Sequence, residues 1–118
     1  MKKTFFLSAI AMTLLACNPS NPLLEAPETP YGVPAFDQVK IEHYMPAFEA
    51  AIAEQKAEID AIVNNPAEPT FDNTIVALDR TGMLLECVSG VFFNVLEADG
   101  NDEMNAIAEQ VSPMLSEL

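Results

Sequence analysis

Residues 69–100 read PTFDNTIVALDRTGMLLECVSGVFFNVLEADG, and the spacing of their apolar residues decides the fold class. Phe71, Ile75, Leu78, Leu85, Val88, Phe92 and Leu96 recur at intervals of three, four or seven. That is the period of one helix face, not the alternation of a strand. Thr70 stands where an N-cap belongs, and Asp72 falls in the first turn, where the helix dipole favours an anion. Gly82 takes the missing step between Leu78 and Leu85, and Gly90 follows eight residues on. Each glycine costs about 1 kcal/mol relative to Ala inside a helix, so the pair points to close approach by a neighbouring helix, or to a local break. Asp99-Gly100 ends the element.

Two further helices flank this one. The first is expected from near Glu42, with Tyr44, Phe48, Ile52, Ile59 and Ile62 on its seam and Ala51, Gln55 and Val63 beside it. Glu42, Glu49, Glu54, Lys56, Glu58 and Asp60 take its solvent sides. Pro46 is tolerated only near the start, where its missing N–H costs least, and Asn64-Asn65-Pro66 ends the run. The last helix is capped by Asn101, opens with Asp102 and Glu103, and carries Met104, Ile107, Ala108, Val111, Met114 or Leu115, and Leu118. Pro113 is expected to kink it. Its stripe is still running at Leu118, so the pattern reads as an incomplete domain. The fold class is therefore all-α, with three helices over 37–118. No period of 20 to 50 residues repeats, which excludes a solenoid.

Ahead of the helices lie two different segments. Lys2 and Lys3 precede an apolar run from Phe5 to Ala16, too short to span a bilayer but of signal-peptide length. It ends Leu14-Leu15-Ala16-Cys17, the pattern of a bacterial lipobox, so 1–16 is expected to be a lipoprotein signal and Cys17 the lipidated residue. Residues 17–36 carry Pro19, Pro22, Pro27, Pro30 and Pro34 and read as an extended tether, with Tyr31 to Phe36 packing on the domain as a strap. The expected location is a bacterial cell-envelope membrane, on the periplasmic side.

The charge balance and the sparse ligands narrow the function. The 118 residues hold 5 Lys+Arg against 18 Asp+Glu, a formal charge of −13. That surplus excludes nucleic acid as a partner, because a polyanion needs Lys and Arg to release its counterions. His43 is the single His, with Ala47 where a second zinc ligand one turn on would stand, so it reads as a structural residue at a helix start. The serines share that one distant His, and the four glycines form no phosphate loop. Asp99 to Glu103 lack the ligand spacing of a calcium loop and read as a helix-to-helix turn. Cys87, once Cys17 is lipidated, has no disulfide partner and reads as a buried, inert thiol; Met83 and Met114 read as core filling. Catalytic, cofactor-binding and metal residues are thus none.

Several phrases, in order, resemble the N-terminal region of peptidyl-dipeptidases (dipeptidyl carboxypeptidases) of the thimet-oligopeptidase family of zinc metallopeptidases. They are Asn21-Pro22-Leu23-Leu24, Tyr31-Gly32-Val33-Pro34-Ala35-Phe36-Asp37, Ile41-Glu42-His43-Tyr44-Met45-Pro46-Ala47-Phe48-Glu49, Pro69-Thr70-Phe71-Asp72-Asn73-Thr74-Ile75 and Val91-Phe92-Phe93-Asn94. The resemblance implies a large, mostly helical enzyme in which zinc, held by a His-Glu-x-x-His helix and a later Glu, hydrolyses short peptides in a deep channel. It implies that helices such as these help wall the channel, with the rest of the peptidase chain as partner. It also gives the Phe48, Phe71 and Phe92 stripes a scaffold role and Thr70 a capping role. None of the zinc-binding or catalytic residues has a counterpart here, so whether this chain acts as an enzyme stays open and by itself it is expected to be inactive. The competing reading is a stand-alone acidic helical lipoprotein that serves as an interaction module.

Overall fold

In a computed structural model, residues 20–118 are described. The expected signal segment 1–16 and the expected lipidation at Cys17 lie outside them. The described residues are helical and contain no strand. Helix α1 spans Ile41–Val63. A π-helical turn, Phe71–Val76, runs on into a short helix α2, Ala77–Asp79. Helices α3, Met83–Asp99, and α4, Asp102–Ser116, complete the order.

Local chemistry sets each boundary. At the start of α1 the Lys40 N–H donates to His43 Nδ1 at 3.0 Å, so the single His satisfies an amide that helix geometry leaves free. The helix begins at Ile41, which puts Pro46 in its second turn rather than its first. Asn64 closes it, donating both its backbone N–H and its side-chain Nδ2 to the Asp60 carbonyl at 2.9 and 2.7 Å. At α4 the Asn101 Oδ1 accepts from the Met104 N–H at 2.9 Å. The helix then runs through Pro113 to Ser116.

The core is one layer of α1 against α3 and α4. Tyr44, Ala47, Phe48, Ala51 and Ile52 face Leu85, Val88, Val91 and Phe92, with Met104, Ile107 and Val111 closing the third side. Phe48, Phe92, Val88 and Val111 are fully buried. Four rings meet edge to face: Tyr44–Phe92 at 4.9 Å between centroids, Phe48–Phe92 at 5.3 Å, Phe92–Phe93 at 5.1 Å and Phe48–Phe93 at 6.4 Å. That geometry sets the positive ring edge against the negative face and adds to area burial.

Several expectations are corrected. The expected helix over 70–99 is two elements, because the chain breaks at Gly82, whose φ of +75° lies in the left-handed region. The break turns the first half of the stripe out of the core: Phe71, Ile75 and Leu78 are 70, 53 and 50% exposed. Met83, read as core filling, is likewise exposed. Close approach holds at Gly82, where an added Cβ would come within 2.7 Å of Gln55 Cδ, but nothing lies within 4 Å of a Cβ at Gly90. Cys87 is exposed rather than buried, because it projects from the side of α3 away from Val88 and Phe92. The strap also differs. Tyr31, Val33 and Phe36 are exposed, and it is Leu23, at 8% exposure, that enters the core.

Candidate functional site

Asn21 explains why the stretch around Leu23, ahead of the strap, docks where it does. Its Nδ2 donates to the His43 carbonyl at 2.8 Å, and its Oδ1 accepts from the Leu23 N–H at 3.0 Å. One amide side chain thus ties the segment to α1 and turns Leu23 inward. Beside it, a cleft of about 280 Å³ opens between the strap and α3, lined by Pro22, Leu23, Pro34, Leu84, Cys87 and Val91 among others. The lining is mainly apolar and offers one thiol. An open hollow on the other side of the strap collects Asn21, Glu25, Glu42, His43 and Pro46.

His43 stands apart from any cluster of donor side chains among the described residues. Its Nδ1 is engaged by the Lys40 N–H, and among the described residues no three His, Cys, Asp or Glu side chains converge as a metal ion requires. The donor set among the described residues does not fit zinc. Among the described residues no helix is long and apolar enough to cross a membrane.

The remaining feature is the segment between α1 and α3, fixed at both ends. At its start Thr70 and Asn73 bond reciprocally: the Asn73 N–H donates to Thr70 Oγ1 at 3.1 Å, and the Thr70 N–H to Asn73 Oδ1 at 2.7 Å. Asn73 Nδ2 also reaches back to the Glu68 carbonyl at 2.9 Å. At its end the Gly82 N–H donates to Glu58 Oε2 of α1 at 2.8 Å. The sequence pattern puts Glu58 on a solvent side of α1, and in the fold its carboxylate is instead tied to that amide. Its role depends on a turn 24 residues away, and no local signal could have revealed it. Between these two anchors, Phe71, Ile75 and Leu78 stand exposed.

These residues define an all-helical segment, with its own small core and one exposed apolar edge. No family model matches the chain. It is 44% identical over 99 residues to the dipeptidyl carboxypeptidase of Salmonella typhimurium, a match that covers 84% of this chain and 15% of that protein. It is 46% identical over 98 residues to the dipeptidyl carboxypeptidase of Escherichia coli, which covers 83% and 14%. Oligopeptidase A of Salmonella typhimurium is 28% identical over 98 residues, with the same coverage of 83% and 14%. The chain is therefore a homologue of dipeptidyl carboxypeptidases and, at lower identity, of oligopeptidase A, a member of the thimet-oligopeptidase family. It spans 14–15% of the length of these relatives.

Proposed function

We propose that these helices are scaffold for a zinc-dependent peptidyl-dipeptidase or oligopeptidase that hydrolyses short peptides, with the catalytic and zinc-binding residues supplied by other parts of the polypeptide. The observation that carries the reading is the 44–46% identity over more than four-fifths of the chain to proteins named dipeptidyl carboxypeptidase. The donor set among the described residues supports placing the chemistry elsewhere, since no ligand cluster gathers around His43. In this reading α1, α3 and α4 hold a wall of the substrate channel, and the rest of the peptidase chain is the partner. Cys17 carries a lipid that attaches the protein to a bacterial cell-envelope membrane, on the periplasmic side.

One chimaera tests both halves of the proposal. Residues 20–118 replace the homologous stretch in the Escherichia coli dipeptidyl carboxypeptidase, and hydrolysis of a blocked short peptide is followed with zinc and with a chelator. Zinc-dependent hydrolysis is expected from the chimaera and none from the 118-residue chain alone. A folded, zinc-loaded chimaera without activity, or activity of the chain alone, would refute the scaffold reading. With residues 1–19 restored at its amino terminus, the chimaera is expected to fractionate with membranes, and Cys17→Ser to release it. A membrane association that survives the substitution removes the anchor.

A further inference from the structure

The expected stripe from Phe71 to Leu96 divides in the structure into two faces with different fates. Leu85, Val88 and Phe92 bury against α1, whereas among the described residues Phe71 is left 70% exposed and Ile75 and Leu78 about half exposed. All three lie within eight residues of one another, on the π-helical turn and the short helix that follows it. A lone exposed apolar residue needs no explanation, but three large ones within eight residues do.

The segment is also held as though its position mattered. Thr70, Asn73 and Glu68 fix its first turn, and Glu58 takes the Gly82 amide at its last. Ordering a backbone costs conformational entropy, normally repaid by burying apolar area. Here the hydrogen bonds supply the order while the largest apolar side chains stay in solvent.

Building on the peptidase reading, we propose that the Phe71–Ile75–Leu78 face is where the remainder of the peptidase polypeptide packs on this helical segment. Two observations choose that occupant. The relatives are about seven times as long as the matched stretch, so any protein of that kind carries ample further surface. A second copy of this chain would bring the same surplus of 18 acidic over 5 basic residues, and like charge opposes its approach. The three side chains thus belong to an interface between parts of one folded enzyme, while Phe48 and Phe92 belong to the core of this segment.

The test compares the chimaera described above with the 118-residue chain, in each case with and without the triple substitution Phe71→Ser, Ile75→Ser, Leu78→Ser. Amide exchange across 71–79 is expected to be at least about tenfold slower in the chimaera than in the chain alone, since docking suppresses local opening. The triple substitution is expected to shorten the half-life of the chimaera's hydrolysis at elevated temperature several-fold. It should lower the urea midpoint of the chain alone only modestly, because there Phe71 is mostly exposed and Ile75 and Leu78 are about half exposed. Equal exchange in both proteins, or a chimaera indifferent to the substitution, overturns the docking face while leaving the peptidase reading intact. Protection already present in the chain alone also overturns it, and light scattering then tells a second copy from cover by the chain's own residues. An unsubstituted chimaera that folds but does not hydrolyse refutes the peptidase reading, and the proposed occupant falls with it.

Discussion

Tyr44 lies at the edge of the ring cluster, 4% exposed and 4.9 Å from the Phe92 centroid. Burial pushes its phenol above the ordinary range, because the apolar surroundings disfavour the charged phenolate. In the unfolded chain the phenol ionises near the ordinary value of about 10, and in the folded chain only above it. The stabilisation is therefore complete below about pH 10 and is lost as pH rises through the higher folded value. Tyr44→Phe is expected to flatten the fall in urea midpoint between pH 9 and 11, which parallel melts of the two proteins would measure. An identical alkaline fall in both would show that Tyr44 does not cause it. His43 and Glu58 make a different point. Each accepts from a backbone amide, His43 Nδ1 from Lys40 N–H and Glu58 Oε2 from Gly82 N–H, so each ties the fold at that point.

Between α2 and α3 the chain reverses on Gly82, and two separate reasons favour glycine there. Its φ of +75° strains any residue with a Cβ, and such a Cβ would meet the Gln55 side chain at 2.7 Å. The first cost is fixed by the backbone. The second is soft, since Gln55 presents the far end of a movable chain. Gly82→Ala is therefore expected to lower stability by about 1–2 kcal/mol, the cost of the left-handed conformation. Adding Gln55→Ala should recover only a minor part of that loss in urea melts. Full recovery would mean that the clash dominates and the conformation is relaxed. The same break explains why α2 and α3 do not share a buried face. The sequence spacing keeps one register through Gly82, but the left-handed turn resets the phase of everything before it.

Three helices with one buried layer leave little margin. A domain of about 150 residues buries roughly 70% of the surface it exposes when unfolded, and a shorter one less, against about 75% for one of 300 residues. The acidic surplus adds self-repulsion, and the single ion pair among the described residues, Lys40 to Glu42 at 3.9 Å, is exposed and contributes little. The chain alone is expected to unfold with a broad urea transition and to bind an apolar dye at the Phe71–Leu78 edge. A sharp transition with several kcal/mol of stability and no dye signal would overturn that expectation. The homologues, being several times longer, have the surface to bury what this segment leaves open.

Periodicity alone specified α1, α3 and α4, since Tyr44 to Ile52, Leu85 to Phe92 and Met104 to Val111 each repeat at helical spacing and each is buried as that spacing requires. Cap residues are local, so Asn101 and the Asn64 terminus could be placed from the chain text. The homology was legible too, because it rests on phrases in order. Burial at one position is a different kind of property. Cys87 and Met83 share a helix with Val88 and Phe92 but project from another side of it, and only the packing angle against α1 settles which side is wet. Glu58 and Gln55 acquire their partners at Gly82 across a fold that brings distant residues together. A periodic pattern says that a face wants cover; three-dimensional packing says whether this chain or another part of a larger protein provides it.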